Sequence, residues 1–361
     1  MILNLTRIGK SGTGMWEYSK RVADLLSKKR MLTAIVCSKS NAEYFKSFDV
    51  EVIKTPDIVA NSSKISKLRP IYWLLYSFYL SAKLKAKYRD ELIMSTTHHS
   101  LPLIRKQIIT IHDIRPRKYP DSTIQFLNFK YLIPRVAKKV KHIITVSNAV
   151  KEQLVSVYGL DKNKISVVYN AVTENLGFNE KPTSKERDMN KVLMIGASWR
   201  HKNAHLFISN YMKFENKIEL IVVSGKTNYQ QELIELVKKE KLEKRVTFLS
   251  NLSDAEIGDL YTKSTVLVYP SKDEGFGIPP IEAMSKGLPV IVSNIPVFKE
   301  ILSTSAIYVE PESYSSWKDS FAFLSDNRDS LINSGYETSK KYNISLMSSM
   351  IDDFLDAIKR K

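Results

Sequence analysis

Two apolar runs enclose a turn rich in glycine and proline in the stretch Val266-Leu-Val-Tyr-Pro-Ser-Lys-Asp-Glu274-Gly-Phe-Gly277-Ile-Pro-Pro-Ile-Glu282-Ala-Met-Ser-Lys-Gly287-Leu-Pro-Val-Ile-Val-Ser293. The short apolar runs at its two ends predict buried parallel strands. Pro279 and Pro280 suit the first turn of a helix and Gly287 suits the position after its last turn, so we expect a helix over about 280–286. Its first backbone amides lack partners within the helix and open onto the glycine loop, which predicts an anion site there.

Two carboxylates flank this loop, because Glu274 directly precedes it and Glu282 lies inside the predicted helix. Hydrogen-bond acceptors on opposite sides of a bound phosphate suit the hydroxyl groups of a sugar. A plainer interpretation is that Glu282 complements the helix dipole and that Glu274 is a solvated loop residue. The pair alone does not decide between these interpretations.

Strand and helix signals alternate along the whole chain, which predicts βαβ units and a parallel sheet in each half. The polar stretch 173–190 has no apolar period and is typical of a linker. We therefore predict an α/β protein with two doubly wound domains, 1–172 and 191–341, followed by a helix over 342–361. The predicted strands are 1–6, 32–37, 92–95, 107–111, 142–146 and 165–168 in the first half and 191–195, 218–223, 246–249, 266–269 and 289–292 in the second, with further helices over 16–30 and 70–88.

The spacing of the two glutamates also matches a family signature. Glu274 through Glu282 resembles the E-x7-E motif of retaining family-four glycosyltransferases, particularly bacterial enzymes that transfer mannose or rhamnose into polysaccharides. The resemblance implies the GT-B fold, in which two Rossmann-like domains face a cleft and a C-terminal helix crosses back onto the first domain. Three more segments resemble the family in the expected order: Thr110-Ile-His112-Asp113 with Tyr119-Pro120, Ile144-Thr-Val-Ser147-Asn-Ala-Val-Lys, and Ile165-Ser-Val-Val-Tyr-Asn170.

The resemblance assigns roles to the domains and to the loop. It implies that the first domain binds the acceptor and that the second binds the nucleotide sugar. It makes Glu274 a contact for the donor sugar's hydroxyl groups and Glu282 the residue that holds the nucleotide ribose. The loop residues expected to line the donor site are Gly275, Phe276, Gly277 and Ile278.

A departing nucleoside diphosphate gains negative charge, so the site needs cations as well as carboxylates. Arg200 and Lys202 follow the predicted strand 191–195, at the end of the strand where ligands of open α/β sheets bind. Gly196-Ala-Ser-Trp-Arg-His-Lys202-Asn203 resembles the family's G…R-K-N loop, with Lys202 at its phosphate-binding lysine. The chain departs from the pattern at His201, where the family has a basic residue. Arg200 is therefore either a second phosphate ligand or a solvated turn residue.

The first domain offers Gly12, Gly14 and His112 as candidates. Gly9-Lys-Ser-Gly12-Thr-Gly14 lacks the spacing of a dinucleotide fingerprint, so it is either a tight turn or, by resemblance, a loop that approaches the donor phosphates and the acceptor. His112 ends an apolar strand, and the resemblance makes it a donor-sugar contact. A structural histidine is the alternative, and a general base would need a pKa near neutrality.

Composition indicates partners and location. The net charge of +17 lies wholly in the first half, where residues 1–175 carry 30 Lys and Arg against 13 Asp and Glu. A positive electrostatic field of this kind attracts nucleic acid, an anionic membrane or a phosphate-bearing acceptor. Nucleic acid is the weakest of these candidates, because no nucleic-acid-binding motif accompanies the charge. One helix-like segment either docks on a membrane or packs on its own sheet with a solvated basic end. Its aromatic and basic residues are Trp73, Tyr76, Phe78 and Tyr79, followed by Lys83, Lys85, Lys87 and Arg89.

The remaining features predict a cytoplasmic protein that is either free or peripheral on the inner face of the membrane. The single cysteine, Cys37, excludes an internal disulfide and is expected to be a buried thiol. The N-terminus opens on a strand rather than a secretory segment, and the apolar run 71–80 is too short to span a bilayer. His98 and His99 lack carboxylates at metal-ligand spacing and there is no D-x-D motif, so we predict neither a metal nor a cofactor.

These observations together predict a retaining glycosyltransferase. It would move a hexose or deoxyhexose, with mannose or rhamnose favoured, from a nucleoside diphosphate to a saccharide or lipid-linked saccharide in surface polysaccharide synthesis. One alternative is a nucleotide-sugar 2-epimerase of similar fold, which needs no acceptor. The other is a non-catalytic protein that binds anions or nucleic acid. In such a protein the joint presence of Glu274, Glu282 and Lys202 would be an unexplained coincidence.

Overall fold

The computed structural model describes residues 1–9, 14–60, 69–89, 91–172, 190–212 and 218–359. Two units can be distinguished, one formed by Met1–Tyr169 with Met347–Lys361 and the other by Asn170–Leu346. Gly12 and residues 173–189 of the predicted linker lie outside the described residues.

Each unit is built on one parallel sheet. In the first unit the described strands are β1 (Ile2–Leu5), β2 (Ala34–Ser38), β3 (Glu51–Thr55), β4 (Ile93–Ser95), β5 (Gln107–Thr110), β6 (His142–Thr145) and β7 (Ile165–Val167). In the second they are β8 (Lys191–Ile195), β9 (Glu219–Val223), β10 (Val246–Leu249), β11 (Val266–Tyr269), β12 (Val290–Ser293) and β13 (Ile307–Val309). The α/β class with two parallel sheets is confirmed.

The helices fill the connections between the strands. In chain order the described α-helices are α1 (Gly14–Lys28), α2 (Arg69–Tyr88), α3 (Arg115–Lys118), α4 (Thr123–Leu127), α5 (Ile133–Lys139), α6 (Asn148–Tyr158), α7 (Ala204–Phe207), α8 (Asn228–Lys239), α9 (Asp254–Lys263), α10 (Ile278–Ser285), α11 (Pro296–Leu302), α12 (Tyr314–Lys341) and α13 (Ile344–Lys359). A π turn at Asn128–Leu132 joins α4 to α5. Most of α13 belongs to the first unit, where Lys29 Nζ lies 2.8 Å from Asp352 Oδ2.

The strand order of both sheets reverses next to the strand that comes first in the chain. The first sheet runs β3-β2-β1-β4-β5-β6-β7 and the second runs β10-β9-β8-β11-β12-β13. The reversal therefore lies between β1 and β4 in one unit and between β8 and β11 in the other. Open α/β sheets bind ligands at the carboxyl ends of the strands at such a switch point. The loops that follow β8 and β11 carry Lys202 and Glu274.

The predicted strands and helices are confirmed, with ends within two residues of the predicted ones, but two strands were missed. β3 is an edge strand in which the side chains of Glu51 and Lys54 are exposed and Ile53 and Thr55 are buried. A strand with so few apolar residues gives a weak signal. β13 has only three residues, which is too short for a period of two to be recognised.

The aromatic residues of α2 divide between two environments. Leu80 and Leu84 are buried against the first sheet, and Trp73 and Tyr76 pack beside them half-buried. Trp73 and Tyr76 therefore follow the alternative expectation, in which the helix packs on its own sheet. Phe78 and Tyr79 have exposed fractions of 46% and 59%.

Two further expectations concern single features. Cys37 is fully buried in β2, which confirms the buried thiol, and burial raises the pKa of this thiol to about 12. Within the described ranges no helix combines the length and the apolar character needed to cross a bilayer.

Candidate active site

Lys202 is positioned by a tight turn after β8. Arg200–Lys202 form one turn of 3-10 helix, and the N–H of Asn203 donates to the carbonyl of Arg200 at 3.1 Å. Asn203 then takes a left-handed backbone conformation with φ of 56°, which asparagine tolerates better than most residues. The turn ends there, and α7 begins at Ala204 with Lys202 held at the carboxyl edge of the sheet.

Lys202, Glu274 and Tyr269 form the centre of the candidate site. The Lys202 ammonium donates to Glu274 Oε1 at 2.5 Å and to the Tyr269 hydroxyl at 2.7 Å, although Lys202 and Glu274 are 72 positions apart. The lysine and glutamate side chains are only 16% and 14% exposed. The ammonium also lies 4.8 Å from the centre of the Tyr269 ring. The structure thus brings together the predicted cation and one predicted carboxylate.

The charges at this centre control each other's protonation. Burial by itself lowers the pKa of Lys202, but the neighbouring Glu274 carboxylate and Tyr269 oppose this effect, and the pKa ends above the ordinary lysine value. Burial, followed by the charge of Glu274, raises the pKa of Tyr269. At neutral pH the site therefore holds a charged ammonium beside a neutral phenol.

The loop before α10 has a backbone that requires glycine. Gly277 has φ of 93°, and a Cβ atom built there would lie 2.7 Å from the Phe298 ring. Pro279 and Pro280 carry no N–H, so the amides that this helix end offers are those of Gly277 and Ile278. The predicted anion loop is thus a small group of amides beside Glu274 in the sequence.

Glu282 is held one turn into α10. Tyr261, a fully buried residue of α9, donates its hydroxyl to Glu282 Oε2 at 3.0 Å. Burial and the Glu282 carboxylate raise the pKa of this phenol well above its usual range. The helix ends at Ser285, and Gly287 follows it as predicted, with φ of 65° and an N–H that donates to the carbonyl of Met284 at 2.9 Å.

Phe276 and Arg200 lie apart from the Lys202 centre. The Phe276 ring is 3% exposed and meets the Tyr342 ring edge-on at 5.3 Å, so a contact with a ligand at this position would come from the backbone. The Arg200 side chain is 71% exposed and forms an ion pair with Glu232 of α8. The structure places both predicted residues in the correct unit but does not bring the guanidinium to the Lys202–Glu274 pair.

In the first unit, His112 is fixed just after β5. Its Nε2 lies 2.9 Å from the Thr96 carbonyl oxygen, and its ring meets the Tyr18 ring edge-on at 4.9 Å. Because a carbonyl only accepts, Nε2 carries the proton and Nδ1 is left as an acceptor. Burial lowers the pKa of His112, against the opposing effects of the Thr96 hydrogen bond and of Asp113. Gly14 is exposed at the start of α1.

Sequence reasoning missed the two tyrosines, Tyr269 and Tyr261. The sequence gives only a weak indication that Tyr269 belongs to the site, namely its position as the last residue of a buried strand just before the Glu274 loop. The sequence gives no such indication for Tyr261, since its position in α9 does not show that its hydroxyl will reach Glu282 on the next helix. Across the described ranges, no three His, Cys, Asp or Glu side chains are grouped so that they could hold a metal ion.

Comparison with known proteins identifies the family. The family model described as Glycosyltransferase Family 4 matches residues 13–176, and the model described as Glycosyl transferases group 1 matches residues 178–341. The O-antigen chain mannosyltransferase RfbU of Salmonella typhimurium is 43% identical over 355 residues, which cover 98% of this chain and 99% of that protein. The chain is a family-4 glycosyltransferase. This match decides against the epimerase and the non-catalytic binding protein.

Solved structures share the glycosyltransferase's GT-B fold. Alr3699/HepE of Anabaena, solved with UDP and glucose, has a TM-score of 0.74 at 18% identity, with 99% of each chain covered. Sucrose-phosphate synthase of Thermosynechococcus elongatus has a TM-score of 0.76 at 17% identity, again with 99% of each chain covered. The expected fold is thereby confirmed, and at these identities the likeness concerns the fold alone.

Proposed function

We propose that the enzyme transfers a mannosyl residue from a nucleoside diphosphate to a hydroxyl of a saccharide or lipid-linked saccharide, with retention of configuration, in the synthesis of a surface polysaccharide. The observation that carries this proposal is the 43% identity, over nearly the whole chain, to a protein named as an O-antigen chain mannosyltransferase. It favours mannose over the rhamnose that the sequence motifs left open.

The proposed chemistry uses Lys202 at the leaving group. The bond between the anomeric carbon and the phosphate oxygen breaks, and the acceptor oxygen bonds to the same face of that carbon. The acceptor's proton passes to the departing phosphate oxygen, so a nucleoside diphosphate leaves and no enzyme nucleophile is needed. Lys202 and the amides of Gly277 and Ile278 would stabilise the charge that develops on the phosphate. These groups support a reaction that needs neither a metal nor a cofactor.

The other predicted residues have proposed positioning roles. Glu274 would accept from hydroxyl groups of the donor sugar, and its contact with Lys202 would keep the ammonium in place before the donor binds. Glu282, oriented by Tyr261, would hold the nucleotide ribose. His112 would accept from a sugar hydroxyl through Nδ1, since Nε2 is engaged with the Thr96 carbonyl.

We also propose that the enzyme works at the inner face of the cytoplasmic membrane, where a lipid-linked acceptor would lie. The exposed residues Phe78 and Tyr79 of α2 and the exposed Lys83 and Lys85 in the following turns support this location. Aromatic side chains suit the lipid interface, and lysines suit anionic headgroups.

The first test is a panel of nucleotide sugars with EDTA present. Wild type, Glu282→Ala and Glu235→Ala are compared by thermal unfolding with GDP-mannose, dTDP-rhamnose, UDP-glucose, UDP-galactose and UDP-N-acetylglucosamine. Glu235 is an exposed residue of α8 and serves as the control. GDP-mannose is expected to raise the melting temperature of wild type and of the control but not of Glu282→Ala.

The outcomes separate the parts of the proposal. Stabilisation by another sugar alone would overturn the assignment of mannose. A response to the donor that appears only when EDTA is omitted would overturn metal independence. Retention is tested on the product with a saccharide acceptor, because NMR reports the anomeric configuration of the new linkage. An inverted product would overturn the same-face mechanism while leaving the donor assignment intact.

A further inference from the structure

The outer face of α2 exposes a continuous apolar stripe. Its residues recur every three or four positions, so they share one side of the helix. The opposite side, with Leu80 and Leu84, is buried in the first unit's core. This first stripe consists of Ile71, Leu74, Leu75, Phe78 and Tyr79, with exposed fractions of 60%, 55%, 68%, 46% and 59%.

A second apolar stripe lies on the helical segment from α4 through the π turn. On its inner side Phe129 and Ile133 are buried in the core formed with β5, β6 and α6. Its outer side carries Ile124, Leu127, Tyr131 and Leu132, with exposed fractions of 64%, 46%, 46% and 55%. Scattered apolar side chains are normal on a surface, but two stripes of this size on neighbouring elements are not.

Ring contacts connect the elements that carry the two stripes. Trp73 of α2 meets the His99 ring at 5.7 Å, His99 stacks on His98 at 4.1 Å, and His98 meets Phe129 of the π turn at 4.9 Å. All four residues belong to the first unit, so the start of α2 and the π turn are neighbours across the loop that follows β4. The elements that carry the two stripes are therefore neighbours within the first unit.

The charges around both stripes are positive. Residues 69–89 and 122–151 contain no Asp or Glu, and each segment has exposed basic residues beyond its apolar stripe. A soluble protein partner would be expected to meet a mixed rim, whereas a surface that is apolar in the centre and predominantly basic at its edge complements anionic headgroups above acyl chains. The exposed basic residues are Lys83, Lys85, Lys87 and Arg89 next to the first stripe, of which Lys87 pairs with Glu51 of β3, and Lys130, Arg135, Lys138 and Lys139 next to the second.

We infer that the two stripes together form one docking surface for an anionic phospholipid bilayer. The inference deepens the proposed location by adding the second stripe, and it rests on the proposed function only for the statement that the acceptor is lipid-linked. With two contacts on one rigid unit, the surface fixes the orientation of that unit on the bilayer. A single helix would leave it free to roll about the helix axis.

The test measures flotation of the full chain with vesicles of phosphatidylethanolamine and phosphatidylglycerol, and with vesicles of phosphatidylcholine alone. Leu75→Ser with Tyr79→Ser replaces two residues of the first stripe, and Leu127→Ser with Leu132→Ser replaces two residues of the second. Phe323→Ser is the control, because Phe323 is 51% exposed in the other unit. Each stripe variant is expected to bind the anionic vesicles at least about tenfold more weakly, since burying one large apolar side chain is worth roughly that factor.

Several results would overturn the inference. Loss of binding in the first-stripe variant with wild-type binding in the second-stripe variant would exclude the second stripe. Equal binding to phosphatidylcholine, unaffected by added salt, would exclude the role of anionic lipid. A wild-type dimer that dissociates in both stripe variants would show that a second copy covers the surface. Donor-induced thermal stabilisation is measured on the same samples, so failure of docking is distinguished from failure of the proposed transferase site.

Discussion

The losses of stability caused by removing each charge of the Lys202–Glu274 pair should not add, because either single removal leaves a buried charge unpaired. The two charged atoms are 2.5 Å apart and the side chains are 16% and 14% exposed. Unit charges 4 Å apart attract by about 4 kcal/mol at an effective dielectric constant of about 20, and this attraction offsets their desolvation. Loss of one partner from a buried pair typically costs about 3 kcal/mol, because the other charge remains unpaired. Lys202→Met and Glu274→Gln should each lower the free energy of unfolding by about that amount, and the double variant by less than the sum.

The pH dependence of this effect follows from the raised pKa of Lys202. A protonated lysine stabilised in the folded state contributes its full stability below the pKa of the unfolded chain, which is about 10.4. The contribution is lost as the pH rises through the higher folded value. The difference in stability between wild type and Lys202→Met should therefore be constant between about pH 7 and pH 9 and should shrink above about pH 10.5.

Urea unfolding of the four proteins measures the coupling, and initial rates measure the catalytic part. Lys263→Met removes an exposed ion pair of α9 and should change stability by less than about 1 kcal/mol. Under the proposed function, Lys202→Met should lower kcat by about 100- to 1000-fold, as does loss of one group that stabilises a developing oxyanion. The reasoning is refuted if the losses of the two single variants simply add, or if Lys202→Met behaves like Lys263→Met.

Three further predictions concern other residues. Glu282→Ala should weaken donor binding by roughly tenfold or more, because a hydrogen bond to a charged group contributes about 1.5–3 kcal/mol. Calorimetry measures this affinity, and an unchanged value would count against a ribose contact. Gly277→Ala should lower the free energy of unfolding by at least about 2 kcal/mol, because φ is positive there and the new Cβ atom would clash with the Phe298 ring. Gly258→Ala in α9 is the control: its Cβ atom would meet open space, so it should not be destabilising. Burial lowers the pKa of His98 to about 3 in the folded chain. The unfolded chain therefore binds a proton at this residue near pH 6.5, whereas the folded chain does not. This residue should therefore lower the free energy of unfolding at pH 5 by about 2 kcal/mol relative to neutral pH. The melting temperature of His98→Phe should accordingly decrease less between pH 7 and pH 5 than that of wild type.

The local features of the site could be predicted because their causes are local. Proline fixes the backbone in the first turn of α10, and Gly287 allows the turn that follows the helix, where its N–H donates to the Met284 carbonyl. The buried strands β11 and β12 follow from uninterrupted apolar runs on both sides. None of these features depends on where the rest of the chain lies, so the sequence contains all that is needed.

The side-chain partners could not be predicted, because they depend on tertiary packing. Arg200 was a candidate phosphate ligand, but α8 places Glu232 within reach of its guanidinium at the surface. Tyr261 reaches Glu282 only because α9 and α10 pack on neighbouring parts of one unit. Such contacts are decided by the docking of whole elements, and no spacing along the chain encodes them.

The strand order explains why the two predicted halves of the site meet. Lys202 follows β8 and Glu274 follows β11, and these strands become neighbours only because the chain returns to the inner side of the sheet after β10. Motif spacing therefore identifies the residues, whereas the reversal of strand order brings them together. Since Tyr269 and Glu274 already hold the ammonium in a largely buried position, much of its desolvation occurs during folding rather than when the donor binds. A phosphate that arrives there meets a cation that is already oriented, which is the condition under which electrostatic stabilisation of a leaving group is most effective.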